Sequence, residues 1–183
     1  FIRHTSRHHD RVRTFCTNPQ GRVRTEYYEK FQLVNGDALA NSKTNNTNLA
    51  VLNTVNLTEP ITDTTNFGRM VAEQFSVLSR GKTLVQRVGD FRSGSRSKKH
   101  SFDNKLAYYD VCPSTLATAV PGDISLGFPA RILDNIWETL KILDKILPGV
   151  LHPSTLLHSP EIKFYDTQYK TNKNLETNIK NLS

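Results

Sequence analysis

The sequence predicts an α+β domain, built on a mainly antiparallel β-sheet with two principal α-helices. Short runs with strand character lie toward both ends of the chain, and two longer segments between them repeat apolar residues at helical spacing. The length of 183 residues fits one domain. With 37% hydrophobic and 22% charged residues, the composition is that of a folded protein rather than a disordered one.

The first third of the chain is predicted to consist mostly of strands. Residues 1–10 show no apolar period and are expected to be a disordered or cut end, so the single domain is predicted over 11–183. The asparagine, proline and glycine within residues 18–21 favour a turn between two strands. The strands are predicted at 12–16, 22–27, 31–34 and 49–57, and the last of these is the best candidate for a central strand.

Two helices are predicted between the strand-rich ends. Thr64 or Thr65 is expected to cap a helix over 66–78, whose apolar residues form one stripe. Residues 129–147 form the stronger prediction, because Pro129 suits a first helical turn and one broad face is apolar. The remaining predictions are a strand at 84–88, a basic loop rich in glycine and serine at 92–101, and extended segments at 161–166 and 169–171.

The positive charge of the chain is unevenly distributed. The net charge is +7, from 24 Lys and Arg against 17 Asp and Glu, and the excess is concentrated in residues 1–30 and 80–105. Such clusters attract anions. Charge alone leaves open a solvated or docking face and a site for phosphates, carboxylates or nucleic acid. Nucleic acid is not the expected partner, since the basic stretches lack the paired aromatic residues of an RNA-binding sheet.

The absence of several known motifs limits which ligands and partners the sequence predicts. The patterns GxGxxG, GxxxxGK[ST] and HExxH do not occur, so the chain lacks the backbone cradles that hold nucleotide phosphates. No apolar run is long enough to span a membrane and no secretory signal opens the sequence, so we expect no membrane partner and a cytoplasmic location. His4, His8, His9 and Asp10 resemble a metal cluster, but a frayed terminus explains them equally well and no metal site is predicted.

Cys16 and the segment 161–165 carry the side chains best suited to catalysis or ligand binding. Neighbouring arginines favour the thiolate of Cys16, and a buried, inert cysteine is the alternative. Strand alternation places Glu161, Lys163 and Tyr165 on one face, with the apolar residues between them on the other. An acid, a base and a phenol on one face form either an exposed ion pair or the wall of a cleft, and the residues alone leave both open.

Five segments of the chain form a recognisable series. They are Arg13-Thr14-Phe15-Cys16 with Asn18-Pro19 and Gly21, Val34-Asn35-Gly36 with Ala38-Leu39-Ala40, Val55-Asn56-Leu57-Thr58-Glu59-Pro60, Leu84-Val85-Gln86-Arg87 with Gly89-Asp90, and a long stretch from Pro121 to Tyr165. In this order they resemble the non-nucleotide domain of a family of FAD-dependent dehydrogenases, the uncharacterised NAD-utilising dehydrogenases. The resemblance covers residues 11–183 and is most specific over 121–165.

The resemblance implies a division of labour. This region would be inserted into a FAD-binding domain of the same parent chain, which would hold the FAD. The sequence would then be a piece of a longer protein, in keeping with its start at Phe1 rather than at a methionine. The present domain would cover the flavin ring and shape a pocket for a small-molecule substrate, with NAD(P)H as a candidate electron donor. It is not expected to be active alone.

The same resemblance assigns roles to individual residues. Lys163 would be the cation beside the flavin that stabilises the anionic reduced form, Glu161 would orient it, and Cys16 would be a third catalytic-site residue. The family carries a second cysteine where this chain has Asn18, so a role that needs two cysteines is not expected. Tyr165 would contact the substrate.

Three arginines complete the set that the resemblance implies. Arg87, Arg92 and Arg96 would bind an anionic substrate or the phosphates of NAD(P)H. The alternative to the flavoprotein interpretation is a non-catalytic module, binding anions or nucleic acid or docking to another domain, built on the basic segment 80–105.

Overall fold

The computed structural model of the chain describes residues 2–28, 30–102, 114–163, 170–174 and 176–177. Within them the order of elements is β1 (Arg3–Thr5), β2 (Arg11–Asn18), β3 (Arg22–Tyr28), β4 (Phe31–Asp37), β5 (Asn48–Thr54), α1 (Thr64–Ser79), β6 (Leu84–Arg87), α2 (Val88–Arg92), β7 (Val120–Pro121), α3 (Ala130–Ile146) and β8 (Leu156–Ser159). The described part of the chain therefore has the predicted α+β character. The five-residue helix α2 was not predicted.

The strands form three small sheets rather than one. In order, these are β1-β2-β5, the hairpin β3-β4, and β7-β6-β8, and the pair β6-β7 is the one parallel pairing among the described strands. The central strand of the first sheet is β2, so the prediction that residues 49–57 are a central strand is wrong. Each residue of β5 except its last is only half-buried, which is typical of a strand at the edge of a sheet.

Residues 2–10, for which the sequence predicts a disordered or cut end, include strand β1 and the turn that follows it. β1 pairs with β2, and the turn between them is closed by hydrogen bonds between Ser6 and Asp10. The carboxylate of Asp10 accepts hydrogen bonds from Arg131 and Asn135 of α3, each at 2.7 Å. This segment is held by polar contacts, which an apolar period cannot reveal.

Helix α1 is capped differently from the prediction. Asp63, not Thr64 or Thr65, is the N-cap, and its carboxylate accepts a hydrogen bond from the backbone N–H of Asn66 at 2.9 Å. At the other end Arg80 has a φ of 55°, in the left-handed region, and the N–H of Gly81 donates to the carbonyl of Ser76 at 2.7 Å. This is a Schellman motif with arginine at the position that usually holds glycine.

Replacing Arg80 with glycine is expected to stabilise the protein. A left-handed conformation costs a residue with a side chain about 1 kcal/mol or more, and glycine avoids most of that cost. The extra flexibility of glycine in the unfolded chain offsets part of the gain, so we expect an increase of about 0.5 kcal/mol. Chemical denaturation of Arg80→Gly beside the exposed control Arg69→Gly, which should lose about 1 kcal/mol, measures the difference.

Helix α3 agrees closely with its prediction, but the strand after it does not. Residues 129–147 were predicted to be helical and Ala130–Ile146 are helical. No strand was predicted at Leu156–Ser159, where β8 pairs antiparallel with β6. Residues 161–163 follow β8 without forming a regular strand, and Thr171 forms an isolated bridge with Thr177. Residues 164–166 and 169 of the two predicted extended segments lie outside the described residues.

Two apolar clusters form the interior, and α1 lies between them. The larger cluster joins α1 to β6 and the turn before α3, through Val71, Phe75, Leu84 and Ile124. The smaller cluster joins α1 to β4. Ile162 packs against both clusters, so the segment that carries Glu161 and Lys163 is anchored between them.

Candidate functional site

A β-bulge sets the position of Cys16. The register between β2 and β5 shifts between Phe15 and Asn18, and Cys16 has a φ of 45°. The side-chain amide of Asn18 donates to the carbonyl of Cys16 at 2.8 Å and to Asn48 Oδ1 at 2.9 Å. Asn18 therefore holds the bulge in place, a role that sequence analysis missed.

A glycine in β4 makes this arrangement possible. A Cβ atom on Gly36 would lie 2.2 Å from Asn48 Oδ1 and 2.8 Å from Asn18 Nδ2, both too close for any side chain. The first residue of β5, Asn48, is therefore the asparagine that supports the bulge. The strand predicted over 31–34 stops just before Asn35-Gly36, whereas β4 continues through this pair to Asp37.

The segment after β8 carries the second half of the site. The carbonyl of Pro160 accepts a hydrogen bond from the N–H of Val34 at 2.9 Å, which fixes the segment beside β4. Because Ile162 points into the interior, Glu161 and Lys163 lie on the other side, as strand alternation predicted. Lys163 Nζ lies 3.0 Å from Glu161 Oε1, and their side chains are 22% and 14% exposed.

The structure brings Cys16 together with Glu161 and Lys163. Burial raises the pKa of the Cys16 thiol, and the charge of Glu161 raises it further, while Lys163 and Arg13 act in the opposite direction. The first two effects are the larger, which favours the neutral thiol over the thiolate that neighbouring arginines suggested. The site therefore holds a carboxylate, an ammonium group and a protonated thiol. Tyr165 lies outside the described residues.

The three arginines do not join this cluster. Arg87 is 9% exposed, and its Nη1 donates to the carbonyl of Ser101 at 3.0 Å. Arg92, the last residue of α2, and Arg96, on the loop that follows, are both exposed. Arg87 lies opposite Leu156 in the β6-β8 ladder, about 10 Å along the strands from the end at which the chain leaves for Glu161.

A half-buried histidine that the sequence did not single out, His158, lies between these two regions. His158 of β8 contacts Ser114 through Nε2 and Oγ, which are 2.8 Å apart. Burial lowers the pKa of His158 to about 4. Ser114 Oγ also accepts from the N–H of Leu116 at 3.1 Å, so the hydroxyl is used to hold a turn. This contact between two neutral side chains links the chain after residue 113 to β8.

The low pKa of His158 predicts acid sensitivity below neutral pH. An unfolded histidine has a pKa of about 6.5, so between that value and about 4 the unfolded chain binds a proton that the folded chain does not. Stability should fall as the pH falls through this window, with a slope of about 1 kcal/mol per pH unit. Urea denaturation of the native chain and of His158→Gln at several pH values measures it. Equal slopes for the two proteins would contradict the assignment.

Two structural features are absent from the described residues. Among the described residues, no group of three or more His, Cys, Asp and Glu side chains is placed to hold a metal ion. His8 instead contacts Asp134 at 3.2 Å, and the hydrogen bonds from His8 and Arg7 lower the pKa of Asp134. In the same part of the chain, no helix combines the length and the apolar character that crossing a bilayer requires.

Comparison with known proteins leaves the family unassigned. The chain matches no protein-family model and no curated protein.

Proposed function

We propose that the chain is the substrate-side domain of a FAD-dependent oxidoreductase, which covers a flavin ring held by a second domain of the same polypeptide. The observation that carries the proposal is the cluster of Cys16, Glu161 and Lys163. These residues come from opposite ends of the sequence, and they are the three to which the family resemblance assigns catalytic-site roles.

The side chains of the cluster suit the edge of an isoalloxazine ring. The Lys163 side chain is 22% exposed, and its ammonium group pairs with Glu161. Glu161 Oε1 is buried and lies close to that ammonium group, yet no aligned hydrogen bond satisfies it. A ring that offers both hydrogen-bond acceptors and an N–H would complement the two groups. The flavin, when bound, supplies the hydride chemistry.

Each residue of the cluster has a definite part in this proposal. Lys163 stabilises negative charge on the reduced ring, because a fixed cation attracts an anion more strongly in a partly desolvated site than in water. Glu161 keeps the ammonium group in position. Cys16 contributes a small, neutral wall to the pocket, since its raised pKa disfavours a thiolate nucleophile. The phosphates of FAD would be held by the other domain, because the sequence has no glycine-rich cradle.

The first experiment asks whether a flavin is present. The complete natural polypeptide that contains these residues is purified, its visible absorbance is recorded, and the supernatant is analysed after denaturation. We expect a yellow protein that releases FAD. A colourless protein that releases no flavin would overturn the proposal.

A second experiment tests the role of Lys163. In the same polypeptide, Lys163→Met is expected to slow flavin reduction about a hundredfold and to make the midpoint potential more negative, because the reduced ring loses its cation. The matched control is Lys141→Met, which removes an exposed lysine of α3. If the two variants have the same potential as the native protein, Lys163 is not beside the flavin.

A further inference from the structure

The last residue of α2 and the segment that follows it expose four cations close together in the sequence. Arg92, Arg96, Lys98 and Lys99 are all exposed, and none of them pairs with a carboxylate among the residues that the structure describes. We call residues 92–99 the basic loop. Holding like charges together without counterions is unfavourable, and the surface concentrates anions from solution.

The backbone of the basic loop is fixed at its first turn. The N–H of Gly94 donates to the carbonyl of Phe91 at 3.2 Å, and the N–H of Ser95 donates to the carbonyl of Asp90 at 2.9 Å. With a φ of 69° at Gly94, this is a Schellman motif that ends α2. The carbonyl of Ser95 in turn accepts from the buried amide of Gln86 at 2.8 Å.

The backbone is fixed again one residue after Arg96. Ser97 is only 1% exposed, and its Oγ donates to Asp90 Oδ2 at 2.6 Å and accepts from the N–H of Arg87 at 2.9 Å. Its own N–H donates to the carbonyl of Gly122 at 3.0 Å. Arg96 is thus presented to solvent from a backbone that is held on both sides. A loop that merely solvates charge has no need of this support.

We propose that the basic loop binds the diphosphate group of a nucleotide. A guanidinium group binds phosphate oxygens through two parallel N–H donors. Arg92 and Arg96 lie on either side of the fixed turn in the sequence, and the two lysines that follow add charge. The loop lacks the exposed aromatic platform on which nucleic-acid bases stack, because the Phe91 ring packs against Trp137 at 5.9 Å and Phe102 is half-buried. A small ligand with several negative charges fits these features better than a nucleic-acid strand.

This proposal does not depend on the flavin. It rests on the basic loop alone, and Arg87 at its base lies at the opposite end of the β6-β8 ladder from the segment that carries Glu161. Binding can therefore be measured on the chain as it stands. A failure here leaves the flavin proposal intact, and the reverse also holds.

Calorimetric titration of the chain with ADP, inorganic pyrophosphate and orthophosphate tests the proposal. We expect ADP and pyrophosphate to bind and orthophosphate to bind at least about tenfold more weakly, because it cannot engage both arginines. Arg92→Ala and Arg96→Ala should each weaken ADP binding about tenfold. Lys43→Ala removes an exposed cation from a distant loop and should leave the affinity unchanged.

Two further variants keep every cation but loosen the loop. Gly94→Ala meets no atom within 4 Å and strains only the left-handed φ, and Ser97→Ala removes the support next to Arg96. Each should weaken ADP binding about fivefold, as expected when a binding conformation is less populated. Circular dichroism identifies a variant that fails to fold. If Ser97→Ala fails to fold, the affinity of Gly94→Ala for ADP decides whether the loop conformation matters.

Three results would overturn the proposal. The first is the absence of ADP and pyrophosphate binding at low salt. The second is equal affinity for ADP in the native chain and in both loosened variants, which would indicate a nonspecific charge effect. The third is tighter binding of a single-stranded RNA oligonucleotide than of ADP, with a strong salt dependence, which would make nucleic acid the partner.

Discussion

Replacing Phe75 with alanine is expected to lower the free energy of unfolding by about 4 kcal/mol. The side chain is fully buried in the larger cluster, and its ring contacts the Phe128 ring edge-on with centroids 4.6 Å apart. Removing it loses the transfer free energy of the ring and leaves a cavity that the neighbouring helix and strands cannot fill.

Urea denaturation monitored by circular dichroism measures this loss. The matched control is Val77→Ala on the same helix, because Val77 is 80% exposed and should change stability by less than about 0.5 kcal/mol. A loss below about 1 kcal/mol for Phe75→Ala would mean that the ring is not packed as described.

Gly127 provides an independent check on the same packing. A Cβ atom at this position would lie 2.3 Å from the tip of the Phe75 ring, so Gly127→Ala should be strongly destabilising in the native background. In the Phe75→Ala background the added methyl group has room, and its cost should largely disappear. Additive effects of the two changes would contradict the contact.

The second large effect is expected at Asp10, where alanine should cost about 3 kcal/mol. Asp10 is 1% exposed and accepts hydrogen bonds from Arg131 and Asn135. Without the carboxylate, the amide of Asn135 keeps its bond to Asn53 but loses the other partner in a fully buried position. The β1-β2 hairpin would lose the buried hydrogen bonds that join it to Arg131 and Asn135 of α3.

Asp134→Ala is the matched control for Asp10→Ala. Both carboxylates join the hairpin to α3, but Asp134 is 43% exposed, and ion pairs of that kind contribute about 1 kcal/mol or less. Similar losses for the two variants, measured by chemical denaturation, would show that burial of Asp10 does not matter.

The pH dependence of Asp10→Ala gives the same test a second readout. The hydrogen bonds from Arg131 hold the pKa of Asp10 below its usual value. A depressed carboxyl pKa stabilises the folded state above the unfolded pKa of about 3.9, and this contribution disappears as the pH falls through the folded pKa. The stability difference between native protein and variant should therefore shrink below about pH 4.

Periodicity was enough to predict the elements that bury one apolar face. β2, β3, α1 and α3 were located within a few residues, because alternation or a helical stripe reflects the side of each element that packs inward. β1 was missed because polar bonds hold it against α3. β8 was missed because its short Leu-Leu-His-Ser sequence does not alternate, since it pairs with a strand whose residues are all buried.

The candidate site was only partly predictable for a related reason. Alternation alone placed Glu161 and Lys163 together, since that is a local property of the chain. Their proximity to Cys16 depends on the bulge at Cys16 and on the contact of Pro160 with Val34, both of which join distant parts of the sequence. The raised pKa of Cys16 followed from the same burial, which no count of neighbouring arginines could supply.

Ile162 makes the two halves of the interior mechanically dependent on each other. One side chain is shared by both clusters, and the residues on either side of it are the ones that would grip a ligand. A molecule that binds Lys163 would therefore act next to Ile162, the side chain that packs against both clusters. A ligand at this site would contact residues that adjoin both the larger cluster around α1 and β6 and the smaller one around α1 and β4.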